Sequence, residues 1–224
     1  MWVALPTGGS LIELPATKQT AKVQVIHNSA DKAAKKVDVY VNGALALNDF
    51  AFRTATPFVD IPAGVPVKIS IAPSTSTTVS DAIADFTYTL KSGGKYIIVA
   101  NGIVSPQGYS PVKGFNLFVY DMAREKSMKT NNTDVMVFHG ATDAPEVDVV
   151  ESSVPAGTVI DDMGYGQFRG YLELPTNDYV LQVKDKTGAV TVASYDAPLK
   201  SLQLQNQALT VLSLIHISEP TRPY

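Results

Sequence analysis

The sequence predicts an all-β protein made of two tandem immunoglobulin-like antiparallel β-sandwich domains. Three observations carry that expectation. Apolar residues recur at period two rather than 3.6, as in Val37, Val39 and Val41 set against Asp38, Tyr40 and Asn42, which is the spacing of pleated strands. Short β-branched or aromatic runs return roughly every 8 to 15 residues between clusters of Gly, Pro, Asn and Ser. The third observation is a repeat: AKVQVIHNSADKAAKKVDVYVNG at 21–43 comes back as DVMVFHGATDAPEVDVV at 134–150.

Residues 1–20 read as an N-terminal linker and 21–128 as the first sandwich. The first sandwich opens with a strand ending in His27, continues through a loop holding Asp31, and resumes as Val-Asp-Val around Asp38. Asn42-Gly43 then predicts a type I′ hairpin, because both central residues of that turn need positive φ. Pro62-Ala63-Gly64 and Ser92-Gly93-Gly94 mark further strand connections. DMAREKSMK at 121–129 reads as a linker or a single helical turn between units. The second sandwich, 129–211, repeats the order: His139, Asp143, Val-Asp-Val around Asp148, then FRGYLELPTND from Phe168 in the place of FRTATPFVDIPAG from Phe52. The offset is 112 residues between the histidines and 113 between Pro62 and Pro175. Units of about 85 to 105 residues with roughly seven strands suit immunoglobulin-like sandwiches. The final LSLIHISEPTRPY, 212–224, resembles a translated sequencing adapter. It is expected to be a non-native tail on a truncated second domain, which leaves His27 and His139 as the native histidines.

Composition narrows the function classes. The 224 residues are 45% apolar and 17% charged, with a formal net charge of −3, a globular balance rather than a disordered one. Charge is uneven: residues 20–128 carry 11 Lys/Arg against 8 Asp/Glu, and 129–211 carry 5 against 11. The one basic cluster, Lys32, Lys35 and Lys36, sits among alanines with no interleaved aromatics, so no nucleic-acid partner is expected. With no cysteine, disulfides, thiolate catalysis and cysteine-held metals are excluded. The start, MWVALPTGGSLIELP, has no basic segment followed by an apolar run, and no stretch of about 18 apolar residues spans a membrane. No cofactor is expected.

The repeated segments HGATDAPEVDVV, IHNSAD, VDVYVNG and VDIPAG resemble the bacterial domain of unknown function 4397. Its units run from a His-Ala-Ser-Pro-Asp-Ala-Pro-like segment through Val-Asp-Val-Tyr-Val-Asn-Gly to an aliphatic-Pro-Ala-Gly turn. The first unit departs by placing Asp31-Lys-Ala-Ala-Lys-Lys36 where the family has a proline-containing loop. The resemblance implies immunoglobulin-like modules, often in tandem, in secreted or envelope-anchored bacterial proteins. It implies an extracellular or cell-envelope location, and no activity.

Three groups of residues are candidates for chemistry. His27, Asp31 and Asp38, with His139, Asp143 and Asp148, offer a histidine and two carboxylates per unit. Strand alternation sends each His inward with the core valines and each Val-Asp-Val aspartate the other way. Asp31 and Asp143 follow a strand directly, where a carboxylate accepts backbone N–H groups and fixes a turn. These six are therefore expected to be structural, with no catalytic residue. Asp143, Glu146, Asp148 and Glu151, followed by Asp161 and Asp162, are candidate calcium ligands, or else a solvated acidic edge that discourages edge pairing. Among the aromatics, Phe50, Phe52, Phe58, Tyr165, Phe168 and Tyr171 recur in both units as core residues do. Tyr109, in the unrepeated loop 105–114, is the candidate ligand contact. The expectation is a non-catalytic structural, adhesion or ligand-binding module with a surface glycan or protein partner; the alternative is a calcium- or carbohydrate-binding accessory domain of an extracellular enzyme.

Overall fold

The computed structural model describes residues 2–14, 19–105, 107–110, 112–154 and 157–213. Strands β1 (Trp2–Val3) and β2 (Ile12–Glu13) form a small antiparallel hairpin within the segment read as a linker. The first domain contains β3 (Thr20–His27), β4 (Lys36–Val41), β5 (Ala44–Ala51), β6 (Val59–Pro62), β7 (Pro66–Pro73), β8 (Ala84–Thr89), β9 (Lys95–Asn101) and β10 (Asn116–Tyr120). The second contains β11 (Asn132–His139), β12 (Val147–Glu151), β13 (Gly157–Met163), β14 (Phe168–Pro175), β15 (Asp178–Asp185), β16 (Thr191–Pro198) and β17 (Ala208–Ser213).

Each domain stacks two sheets. In the first, β5-β4-β7-β8 faces β10-β9-β3-β6; in the second, β13-β12-β15-β16 faces β14-β11-β17. The same element order generates both, so the sequence repeat is a fold repeat. Asn42 and Gly43 have φ of 50° and 84° and join Val41 directly to Ala44 in the pairing, the expected two-residue turn. Gly64 and Gly93 also take positive φ at the expected connections. The segment 121–129 contains bends and a bridge from Met122 to Lys95, with no helical turn.

Two features depart from the sequence reading. The sandwiches are not wholly antiparallel: β3 pairs parallel with β9, and β11 with β17. The first and last repeated strands of each unit share a sheet, and the last returns in the direction of the first. An alternating apolar pattern carries no information on partner direction, so this pairing was hidden. The last strand also runs through Ser213, two residues past the expected boundary at 211; residues 214–224 of the expected tail lie outside the described residues.

The cores follow the pleat. Val23, Tyr96, Ile98 and Leu117 fill the first sandwich, and Val147, Val149, Ile160 and Met163 the second. A further apolar cluster lies between the domains, where Ile26, Ile97 and Val99 of the first meet Met136 and Phe138 of the second. Around it pack Phe58, Phe118, Tyr120, Phe168 and Tyr171, with ring centroids of Phe138 and Phe168 4.6 Å apart. Strands β9 and β11 are thus buried on both faces, one toward their own sandwich and one toward the other domain. Among the described residues no helix is long and apolar enough to cross a membrane.

Candidate functional site

Each repeated histidine closes the loop that follows its own strand. His27 is 1% exposed. Its Nε2 lies 2.8 Å from the Ala34 carbonyl oxygen, and the Ser29 N–H donates to Nδ1 at 3.3 Å. A carbonyl only accepts and an amide N–H only donates, so the ring is the neutral Nε2–H tautomer. Burial pushes its pKa below the usual 6.5, against the opposing pull of the Ala34 carbonyl. Phe50 and Phe52 pack against it, with centroids at 5.7 and 6.1 Å. His139 repeats the device: Nε2 donates to the Pro145 carbonyl at 3.0 Å, and Nδ1 sits 3.0 Å from the Ser213 hydroxyl, which itself accepts from the Gly140 N–H.

The first loop aspartate gathers donors from two loops. Asp31 is buried and accepts from Ala33 N, Val104 N, Ser105 N, the Ser105 hydroxyl and the Tyr109 hydroxyl. Burial opposes its charge, yet the bonds from Ser105, Ala33 and Val104 outweigh it and hold the carboxyl below its usual range. Tyr109, the candidate ligand contact, is therefore tied to Asp31, and its oxygen also accepts from Lys32 N at 2.9 Å. Asp143 is exposed, and no described residue donates to its carboxylate.

The Val-Asp-Val aspartates share neither partner nor sheet with the histidines. Asp38 Oδ1 accepts from Asp49 N at 2.9 Å, and Asp148 Oδ1 accepts from Asp162 N at 2.8 Å. Asp49 and Asp162 have φ of 55° and 47°, and the neighbouring strand shifts register at both places. Each aspartate thus clips a β-bulge held in the left-handed region.

The four candidate calcium ligands do not converge. Asp148 and Glu151 lie three residues apart on one strand, so alternation turns them to opposite faces. Glu151 accepts from Ser153 N, the Ser153 hydroxyl and Val154 N at the strand end, while Asp143 and Glu146 are exposed. Asp148 instead gathers with Asp161 and Asp162, carboxylate oxygens within 4.8 Å of one another. Two of these three are exposed, so water screens their repulsion.

The interdomain contact joins an apolar cluster to polar contacts at both ends. Arg124, in the linker, donates from Nη1 to Asp134 at 2.6 Å and to Glu173 at 2.9 Å. Its guanidinium lies 4.7 Å from the Tyr171 ring, whose hydroxyl accepts from Arg124 N. Next to it, Glu125 binds Lys95 of the first domain at 2.6 Å, so adjacent linker residues grip both sandwiches. At the other end of the contact, Asn28 donates to Asn101 Oδ1, and Asn101 donates to the Gly140 carbonyl and the Tyr165 hydroxyl. Of the six repeated aromatics Phe50 is buried and the others half-buried: Phe50 and Phe52 surround His27, while Phe58, Tyr165, Phe168 and Tyr171 line the interface.

Two units with one topology, matching histidines and matching bulge aspartates are a duplicated module, and comparison with known families agrees. A family model described as a domain of unknown function (DUF4397) matches twice, at residues 21–150 and 133–221. The chain belongs to the DUF4397 family. No curated protein matches it. Within these DUF4397 repeats each histidine and each Val-Asp-Val aspartate bonds to groups of its own domain, and Asn28 and Gly140, at matching positions, meet at the contact between the copies. Sequence reading missed that contact, including Arg124 and Asp134. The available signal was the unbroken apolar run Tyr96-Ile-Ile-Val-Ala100, which a strand with one solvent face does not need.

Proposed function

We propose that this tandem DUF4397 protein is a non-catalytic structural, adhesion or ligand-binding module of a secreted or cell-surface bacterial protein, its two sandwiches held as one rigid unit. The observation that carries the reading is the commitment of the histidines. The His27 ring commits Nε2 to the Ala34 carbonyl and Nδ1 to the Ser29 N–H, and His139 commits Nε2 to the Pro145 carbonyl, so the buried His27 has no nitrogen within reach of a substrate's proton. The fitted interdomain core supports a role in which relative geometry matters, as in a spacer or an adhesive face. The envelope location rests on the family resemblance.

Replacing His27 or His139 by Ala tests the reading. The expected result is a lower melting temperature in each variant. An unchanged melt accompanied by loss of a hydrolytic or metal-dependent activity would overturn it. A thermal-shift screen against glycans and millimolar Ca²⁺ addresses the ligand, and the acidic group at Asp148, Asp161 and Asp162 is expected to behave as a solvated edge, giving no shift with Ca²⁺.

A further inference from the structure

The turn that follows the bulged strand is pinned to the repeated histidine in both domains. Arg53 N–H donates to the His27 carbonyl at 2.9 Å, and the Thr54 carbonyl accepts from His27 N at 2.9 Å; Gly166 N–H and the Gln167 carbonyl make the same two bonds to His139, at 2.7 and 3.0 Å. Arg53 and Gly166 therefore hold one place in the fold, although the sequence repeat sets Arg53 against Arg169. Both are left-handed, with φ of 65° and 78°. Glycine takes that backbone freely, and at Gly166 it is also required, since a Cβ there would lie 2.5 Å from the Phe118 ring. Arg53 adopts it against the preference of its own Cβ, and a residue held in a sparsely populated conformation points to a use for its side chain.

The Arg53 guanidinium is exposed and set in place. It lies 5.1 Å from the centre of the Phe52 ring, which meets the buried His27 ring edge-on at 6.1 Å. Stacking fixes the plane of its fork of donors. Among the described residues neither a carboxylate nor a carbonyl accepts from it, whereas Arg169 donates from Nη2 to the Asp161 and Asp162 carbonyls. Lysines stand close by: Phe52 N–H donates to the Lys35 carbonyl at 2.9 Å and Ala51 pairs with Lys36, so the exposed Lys32, Lys35 and Lys36 share this end of the first sandwich. The neighbouring carboxylates leave the patch positive, for Asp31 is buried under its donors and Asp49 stands 3.7 Å from Lys36. The matching loop of the second repeat, Asp143-Ala-Pro-Glu146, carries no base.

We propose that Arg53, with Lys32, Lys35 and Lys36, binds an acidic polysaccharide through its carboxylate or sulfate groups. One such group accepts two parallel bonds from the fixed guanidinium, and the lysines attract further charges along the chain. The exposed residues beside these cations, Ala33, Thr54 and Ala55, are small. Such a surface suits a hydrated chain with a charge on its sugars and gives peptide side chains nothing to fill. Phe52 is covered by the guanidinium, so nucleic-acid bases find no free ring on which to stack. The inference rests on the binding-module reading. That reading is tested by melting of the histidine variants and this one by binding at an intact fold, so the two can fail separately.

Calorimetric titration of the full chain with polygalacturonate and with dextran sulfate decides it, with neutral dextran and polyglutamate alongside. At least one acidic glycan should bind and neutral dextran should not, with affinity falling about tenfold between about 50 and about 300 mM salt because exposed charges are screened. Binding of polygalacturonate assigns the carboxylate, and binding of dextran sulfate the sulfate. Arg53→Gly should abolish binding while melting at or above the parent temperature, because glycine relieves the left-handed backbone. Arg53→Lys, which keeps the charge and loses the fork, should weaken binding about tenfold. No binding of either acidic glycan overturns the proposal. So does undiminished binding by Arg53→Gly, which places the contact elsewhere, and so does equally tight binding of polyglutamate, which reduces the patch to unselective charge.

Discussion

Asn28 and Gly140 hold the same position in the two repeats, directly after the histidine, and they meet across the domain interface. A Cβ at Gly140 would lie 2.4 Å from Asn28 Nδ2 and 2.8 Å from the Ser213 carbonyl oxygen. The larger residue of one copy occupies the space left by the smaller residue of the other, so the copies have diverged into complementary shapes where they touch.

Gly140→Ala should therefore destabilise the protein by about 1–3 kcal/mol, the usual cost of overpacking a close contact. Adding Asn28→Ala should recover part of that loss, because it removes the nearer of the two clashing atoms. A double-mutant cycle by thermal or denaturant melting measures the coupling; purely additive effects would mean the two residues do not press on each other.

Arg124→Leu should cost about 3 kcal/mol or more, since it strands the Asp134 carboxylate without its cation. Asp134 has no exposed side-chain surface, and its Oδ1 has no partner among the described residues. Urea melts of the variant and the parent check the figure, and a change under about 0.5 kcal/mol, the scale of a surface substitution, would show that the pair is not holding the linker.

Stability should depend on pH through His27. Its folded pKa lies below the unfolded value near 6.5, so the unfolded chain takes up the proton first. The contribution of the neutral ring is complete above pH 6.5 and is lost as pH falls through the folded pKa. His27→Gln should flatten that part of the profile of unfolding free energy against pH, and an unaltered slope below 6.5 would count against a lowered pKa for the buried ring.

Asp31 acts in a more acidic window. Its carboxyl is held below the usual 3.8, so its contribution is present above that value and fades as pH falls through the folded pKa. Asp31→Ala leaves the Ala33, Val104 and Ser105 N–H groups without their acceptor, at a cost on the order of 1–3 kcal/mol for each donor that water cannot reach. Melting at neutral pH measures it. A loss confined to a few tenths of a kcal/mol would place all the donors in contact with water.

Much of this architecture was legible in the sequence because its determinants are local. The period-two pattern, the Asn42-Gly43 turn and the inward histidines each follow from a few neighbouring residues, and the repeat made each reading count twice. What stayed hidden depends on distant partners. The parallel pairing of β3 with β9 leaves no local trace. The bulges at Asp49 and Asp162 were invisible because neither residue is a glycine, and so neither announced a left-handed backbone. The acidic residues of the second repeat looked like one group along the chain, yet strand alternation separated Asp148 from Glu151 and hairpin pairing brought in Asp161 and Asp162. Strand β10 was missed as an element, since the repeat that guided the reading spans only β3 to β9 and their counterparts.

The central claim is that the two repeats share a core and so behave as one body. Differential scanning calorimetry of the full chain tests it most directly. Sandwiches joined only by a linker unfold separately, whereas domains coupled through Ile97, Val99, Met136 and Phe138 should unfold in a single cooperative transition that Arg124→Leu shifts as a whole. Two resolved transitions, of which Arg124→Leu moves one or neither, would contradict it.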